Sequence, residues 1–422
     1  MIAGLSFTAL LLLGAPIAFL LVATTLILIM ASGNEVLLTG FPQQLFAGIE
    51  SYSLLTLPLF ILLGELMGAG GIGRRLFALA AALIWPLRAG LAYINLLANL
   101  MMASVLGSTV AQLTIMSRLA VPEMERAGYP RDVSASVTAA GGLLAPVLPP
   151  SMNLIVFAAV AQLPVDQLFR ASLLPGIALA ASFAAVIAWL GWRYTLPKTG
   201  QMAPGARLGT LRDAAPALLV PAVVIGSILG GFATPTQSAA LASLATILIG
   251  LFLYREMRLA DLAPALVRTA VTSGAVLFLV AGAQIIGWVL TYGNLPAQAS
   301  ALIQDLAHSP LMFLILLNIL LLALGTVLEP IPGIILTAPV LLPVATDVYG
   351  IEPTAFGVIL CLNMALGLLT PPVGAGLYTA SLMTGISSTR LSWLLTPFFL
   401  ATLAVLAGLT VITALQSTMT GG

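Results

Sequence analysis

Hydroxyl, glycine and proline residues gather at four places in an otherwise apolar chain. Ser104, Gly107, Ser108 and Thr109 stand in one apolar stretch, and Gly142 and Pro146 in the next. Gly325, Glu329 and Gly333 stand in a third, and Gly367, Thr370 and Gly374 in a fourth. The second and fourth places also carry prolines: Pro146, Pro149 and Pro150, then Pro371 and Pro372. Proline removes a helix N–H and clashes with the preceding turn, so an apolar helix breaks there. A break frees backbone carbonyls, which together with hydroxyls suit a dehydrated sodium ion. The positive N-terminal ends of half-helices suit a carboxylate. Unpaired backbone is tolerated at membrane depth only inside protein or along a watery cavity. The competing reading is that the small residues merely let helices pack closely.

Glu329 is an ionisable residue in an apolar stretch, which is a functional position by default. It can bind a cation, carry a proton, sit protonated in a hydrogen bond, or reach water from a hairpin tip. Glu65, in Leu63-Gly64-Glu65-Leu66-Met67, lies near the end of a short span, at or near the interface. Gln237, after Thr234-Pro235-Thr236, reads as a residue of a helix N-terminus. Other chemistries lack their residues. No His-Glu-x-x-His zinc motif, paired intramembrane aspartates or Ser/His pair is present, since His308, the sole histidine, sits in a polar loop. No enzyme activity is therefore expected. The single cysteine, Cys361, has no disulfide partner. No phosphate-binding Gly-x-x-x-x-Gly-Lys-Ser/Thr loop occurs.

The elements that must position these residues follow from composition and charge. The chain has 422 residues, 60% hydrophobic and 7% charged. A soluble domain carries about 25% charged residues, so most of this surface faces lipid. A net charge of +1 with no basic stripe excludes nucleic acid as a partner. The N-terminal apolar run, residues 2–31, is too long for the core of a cleaved signal. It is long enough to cross a bilayer. Arg and Lys cluster at Arg74–Arg88, Arg118–Arg131, Arg193–Arg212 and Arg255–Arg268. Such short loops stay cytoplasmic. Loops with Glu35, Glu50, Asp305, Asp347 and Glu352 lack basic residues and are placed outside. Trp85, Trp192, Trp288 and Trp393 lie near span ends, as interfacial anchors do.

The order is then a span at 2–31, a span at 52–69, a re-entrant hairpin at about 89–117, a broken span at 134–162 and a span at 171–192. A linker loop and connecting helix, 193–235, separates the halves. The second half repeats the order: spans at 236–254 and 269–291, a hairpin at about 311–346, a broken span at 355–385 and a span at 392–415. The first repeat (1–192) starts inside and the second (236–422) outside, an inverted-topology repeat. Gly142-Leu143-Leu144-Ala145-Pro146 and Gly367-Leu368-Leu369-Thr370-Pro371 match between them. The expected fold is an all-α polytopic membrane protein with two re-entrant hairpins and two broken helices. Its N-terminus is cytoplasmic and its C-terminus periplasmic.

Several motifs carry a resemblance. They include Pro58 to Met67, Val121-Pro122-Glu123-Met124 with Gly128-Tyr129, and the break Pro146-Val147-Leu148-Pro149-Pro150-Ser151. Gly231-Phe232-Ala233-Thr234-Pro235-Thr236, Phe356-Gly357-Val358-Ile359 and Gly367 to Gly374 complete the set. Spread over nearly the whole chain, they resemble the large (DctM-like) membrane subunit of a TRAP, or tripartite ATP-independent periplasmic, transporter. The resemblance implies an elevator-type, ion-transporter-superfamily fold in the bacterial inner membrane. It implies a sodium gradient (Na+) in place of ATP, a small organic-acid substrate, and delivery by a periplasmic solute-binding protein. A small four-helix membrane subunit (DctQ-like) would pair with this one. It is expected to be a separate chain, because the first span begins at once.

Carried over by position, the sodium-binding residues are Ser104, Gly107, Ser108, Gly142 and Pro146, with Gly325, Gly367 and Thr370. The substrate-binding positions are Ser108, Thr109, Pro150, Ser151, Glu329, Pro371 and Gly374. Three positions depart from the family pattern. Gln112 and Glu329 stand where many members have Asp, and Gln237 where many have Glu. Other readings are an anion symporter of related fold that needs no binding protein, an intramembrane enzyme and a passive channel. Helices broken at corresponding positions favour alternating access over a fixed pore.

Overall fold

The computed structural model describes residues 13–34, 36–84, 87–198, 204–293, 303–371 and 374–420, with Phe7 and Leu10 before them. Glu35, Trp85, Pro372 and the start of the expected first span lie outside the described residues. Helices make up nearly all of the described chain, and Arg88 and Lys198 form one isolated bridge. Six helices are long and apolar enough to cross a membrane, or seven if the bent pair Ser53–Ala69 and Ile72–Leu83 is one span. Only a third to a half of each spanning window is buried in the protein, so the rest of each apolar surface meets lipid. This is a multi-pass membrane protein.

The helices form two groups. The first contains α1 (Ile17–Ser32), α2 (Val36–Ala47), α3 (Thr56–Ala69) and α4 (Ile72–Leu83). It also takes α10 (Pro204–Leu229), α11 (Pro235–Leu248) and α12 (Leu259–Tyr292). Here α12 packs on α1 and α3, α11 on α3 and α10, and α10 on α4. The second group contains α5 (Gly90–Leu106), α6 (Thr109–Arg126), α7 (Arg131–Gly141), α8 (Met152–Val160) and α9 (Val165–Arg193). From the later half of the chain come α13 (Pro310–Gly325), α14 (Pro330–Pro343), α15 (Pro353–Leu368), α16 (Ala375–Thr384) and α17 (Ser388–Thr420). In it the two halves interlock: α6 packs on α16, α8 on α14, and α9 on α17. Phe183 of α9 meets Phe398 of α17 edge-on, with centroids 5.4 Å apart, and Phe157 of α8 lies 6.1 Å from Phe356 of α15. Arg390 bridges Asp132, and the Arg131 Nε donates to the Thr384 carbonyl at 2.7 Å.

Local chemistry sets where the helices begin. Pro235, Pro310, Pro330 and Pro353 each occupy a first-turn position. The missing N–H has no intrahelical partner there, and the fixed φ is already helical. Gln237 closes a capping box with Thr234 at the start of α11, the helix N-terminus expected for it.

Several elements run differently from the expectation. The loop expected after residue 31 holds α2. Gly40 lies against the Trp288 ring, and Leu37 packs with Ile29 and Val289. Tertiary burial thus holds a helix whose own Gly40 and Pro42 argue against one. The second arm of the first hairpin continues to Arg126, so Arg118 stands on α6 instead of in a loop. Likewise α10 begins at Pro204 and α12 at Leu259, which draws Arg207, Arg212 and Arg268 into helices. A long basic side chain keeps its charged head in water while its stem lies on a helix, so a charge cluster does not mark a helix end.

Candidate functional site

Two helical hairpins, α5–α6 and α13–α14, and two interruptions, between α7 and α8 and between α15 and α16, are present, and each hairpin turn is tied to an interruption. In the first, α5 turns into α6 at Gly107, whose φ is +60°. A Cβ there would lie 3.0 Å from the Pro150 carbonyl oxygen and 3.1 Å from the Met152 nitrogen. Only glycine lets the turn sit this close. The Met152 N–H donates to the Gly107 carbonyl at 3.3 Å. In the break itself, α7 ends at Gly141, a short 3-10 turn covers Gly142–Leu144, and α8 begins at Met152. The Ser151 hydroxyl donates to the Pro146 carbonyl at 2.6 Å and accepts from the Leu154 N–H at 3.4 Å.

In the second, the Gly374 N–H donates to the Thr326 carbonyl at 2.8 Å, between α13 and α14. Gly325 and Gly367 bring backbone against backbone. A Cβ on Gly367 would fall 2.5 Å from the Gly325 Cα. Thr370 donates its N–H to the Gly367 carbonyl at 2.9 Å and its hydroxyl to the Leu366 carbonyl at 2.8 Å.

Buried amides fasten each hairpin to its broken helix. Gln112 Nε2 donates to Asn99 Oδ1 at 2.8 Å and to the Gly141 carbonyl at 3.0 Å, and Asn95 Nδ2 donates to Thr138 Oγ1 at 2.7 Å. In the later half, Asn363 Nδ2 donates to Asn318 Oδ1 at 2.8 Å, and Asn318 Nδ2 to Thr410 Oγ1 at 2.8 Å. Such contacts tie the elements together, although Gln112 Oε1 and Asn363 Oδ1 have no partner among the described residues.

The two hairpin turns meet across a cavity of about 360 Å³. Gly107, Ser108, Thr109, Glu329, Met152 and Asn153 line it from the second helix group, and Glu65, Thr272 and Val276 from the first. The N-terminal ends of α6, α8 and α14 all reach this wall. Free backbone N–H groups and the helix dipoles make such ends favourable for an anion. Asn153 is 5% exposed, and its Nδ2 has no hydrogen-bond partner among the described residues. An orphaned buried amide is costly unless a ligand satisfies it. Glu65 is paired with Arg268 at 2.6 Å, which leaves Glu329 as the carboxylate on this wall without an ion-pair partner among the described residues.

Of the expected substrate-binding positions, the structure brings Ser108, Thr109 and Glu329 to this cavity, with Gly107 from the sodium set. Ser104 and Pro150 line a smaller apolar cavity of about 180 Å³ beside Leu148 and Phe169. Thr370 and Pro371 line a third, of about 360 Å³, against Trp393 and Phe399 of α17. Gly142, Pro146, Ser151, Gly325, Gly367 and Gly374 line none of these three; the glycines sit in the hairpin-to-break contacts, and Pro146 and Ser151 bond each other within the break. Asn153 and the amide pairs escaped sequence reasoning. A signal existed: Asn99 and Asn318 each stand eight residues before the turn carbonyl of their hairpin, Gly107 and Thr326.

A family model described as "Tripartite ATP-independent periplasmic transporter, DctM component" matches residues 5–415. The chain is 36% identical over 332 residues to a 2,3-diketo-L-gulonate TRAP transporter large permease protein, YiaN, of Escherichia coli. That match covers 79% of this chain and 78% of the relative. It is 35% identical over 343 residues to the C4-dicarboxylate TRAP transporter large permease protein DctM of Pseudomonas aeruginosa, covering 81% and 80%. Among solved structures, the crystal structure of the Alcanivorax borkumensis YdaH transporter superposes with a TM-score of 0.67. It shares 14% identity and covers 97% of this chain and 98% of that one, a likeness of fold.

Proposed function

We propose, from the premise that this chain belongs to the DctM component family of tripartite ATP-independent periplasmic transporters, that it imports a small organic acid across the inner membrane coupled to sodium. The observation that carries this reading is the cavity between the hairpin turns, where three helix N-termini and the unpartnered Asn153 amide face one space. A carboxylate satisfies the helix ends and the amide together. The cavity volume suits a small solute. The relatives act on 2,3-diketo-L-gulonate and C4-dicarboxylates by name, both small organic anions.

Sodium is the second cargo. Ser104, Gly107, Ser108, Gly142 and Pro146 form the first proposed site, and Gly325, Gly367 and Thr370 the second. A carbonyl oxygen has two lone pairs, so those of Gly107, Pro146 and Gly367 can each accept a second partner. Oxygen ligands of this kind suit a hard cation. The second helix group, carrying both hairpins, moves as a body against the first, which is the elevator step. The inverted repeat spans 1–192 and 236–422, joined by the linker and connecting helix, with a cytoplasmic N-terminus and periplasmic C-terminus. A periplasmic binding protein delivers the acid, and a small four-helix membrane subunit holds the first group in place.

The test is the melting temperature of the purified protein in sodium, against potassium or choline at equal ionic strength. A ligand that binds the folded state stabilises it by about 2.7 kcal/mol at a hundredfold excess over its Kd. A sodium-specific rise is expected, reduced in Ser108→Ala and Thr370→Ala. Identical melting in all three cations would overturn sodium coupling.

A further inference from the structure

A second cavity, of about 450 Å³, adjoins the first. The two share Gly68 of α3 and Ile115 of α6 in their walls, so they are neighbours along α6. The second is walled by Arg118, Leu119, Arg74, Met102 and Glu256. Its charges are unevenly matched. Glu256 bridges both Arg74 and Arg75, and Arg75 also meets Asp213 and covers the Tyr254 ring. Arg118 is exposed and makes no ion pair or hydrogen bond with any described residue.

Position gives that charge a use. Ala111, Ile115 and Arg118 stand at i, i+4 and i+7 on α6, one face of the helix. Arg118 lies nine residues from Thr109, about 14 Å along the axis. One face of α6 thus joins the wall of the central cavity to the Arg118 guanidinium. Arg74 and Arg118 line this cavity and Arg75 shares Glu256 with Arg74; on the import reading above, such an Arg-rich side is the cytoplasmic one.

We propose that Arg118 forms a second anion site, on the cytoplasmic release path, which takes the carboxylate of the organic acid as it leaves the central cavity. The guanidinium lowers the energy of the anion in a passage whose walls are otherwise mostly apolar, and so speeds release. It also repels cations entering from the cytoplasm. The proposal rests on the import reading above, because it takes an organic anion as the cargo.

The test uses charged thiol reagents as probes. Cys361, the sole cysteine, is fully buried, which keeps the background silent. Ala111→Cys places a thiol in the central cavity, about 10 Å along α6 from Arg118. Inside-out vesicles are treated at low salt with anionic sulfonatoethyl or cationic trimethylammonioethyl methanethiosulfonate. The anionic reagent is expected to gain on the cationic one when Arg118 is present. Arg118→Glu should lower the anion-to-cation rate ratio by about tenfold, since four unit-charge interactions at this distance change together. Arg118→Lys should preserve it, and high salt should erase the difference.

An unchanged ratio in Arg118→Glu would overturn the proposal, as would Ala111→Cys that reacts only from the periplasmic face. Sodium-driven uptake of C4-dicarboxylates by the complete transporter separates the two readings. Normal uptake with a ratio blind to Arg118 sinks the release site alone. Failure of a panel of organic acids to be taken up sinks the import reading, whatever the ratio.

Discussion

Gly367→Ala should damage the transporter out of proportion to one methyl group. A Cβ on Gly367 falls 2.5 Å from both the Cα and the carbonyl carbon of Gly325, and 2.9 Å from its oxygen. Carbon atoms pack at about 3.5–4.0 Å, so the end of α13 must withdraw by about 1 Å. The obstacle is backbone and cannot rotate away. Overpacking of this kind costs about 1–3 kcal/mol. Alanine returns up to about 1 kcal/mol of helix propensity, so a net loss of about 1–2 kcal/mol is expected.

Gly333→Ala is the control. Its Cβ falls 1.9 Å from Met364 Cε, a closer approach on paper. Yet the methionine tip is flexible and can move into another rotamer, so near-neutral stability is expected. The functional readout separates the two further. Gly325 and Gly367 hold the hairpin end beside the Thr326 carbonyl that Gly374 bonds, where the second sodium site is proposed. Melting curves of both variants, recorded in sodium and in choline at one scan rate, give the comparison. Gly367→Ala should melt lower in both salts and lose most of its sodium increment, while Gly333→Ala keeps both. A Gly367→Ala protein that melts like the parent in both salts would refute the argument from close approach.

Two further outcomes follow from the cavities. Asn153→Leu removes a buried Nδ2 that has no partner among the described residues, so stability should hold or rise while uptake falls by about tenfold or more, the value of a hydrogen bond to a charged ligand. Uptake kinetics beside a melting curve check both halves of that statement. Gly68→Phe should fold normally, because no atom lies within 4 Å of a Cβ at that position, yet stop transport, because Gly68 belongs to the walls of both adjoining cavities. Normal melting with normal uptake in Gly68→Phe would show that solute takes another route.

What the sequence disclosed and what it hid divide along a physical line. Proline and glycine act on their own backbone, so the breaks at Pro146–Pro150 and at Thr370-Pro371 were legible, and so was the turn at Gly107. Charge clusters did not mark the ends of helices, because Arg118, Arg207 and Arg268 ride on helices. Asn153 was illegible for a different reason. An asparagine in Met152-Asn153-Leu154-Ile155 reads as an isolated polar residue in an apolar run, and its meaning lies in the partner that the fold withholds from it.

The amide pairs show the same limit from the other side. Asn99 and Gln112 lie thirteen residues apart on opposite arms of one hairpin, and Asn318 and Asn363 stand 45 residues apart. The first pair is made by the two arms of one hairpin, with Gln112 reaching on to the Gly141 carbonyl of the broken helix, and the second by packing a hairpin on a broken helix. Their positions nevertheless answer one requirement. A hairpin that offers carbonyls to a cation must be held rigidly to the break that offers the others, and an amide eight residues below the turn does this without entering the site. The turn carbonyls of Gly107 and Thr326 each accept one N–H from the break, while amide contacts deeper in the helices hold the geometry. On the proposed sodium-coupled reading, a hairpin free to part from its break would release sodium and solute separately, and coupling would fail even with every ligand in place.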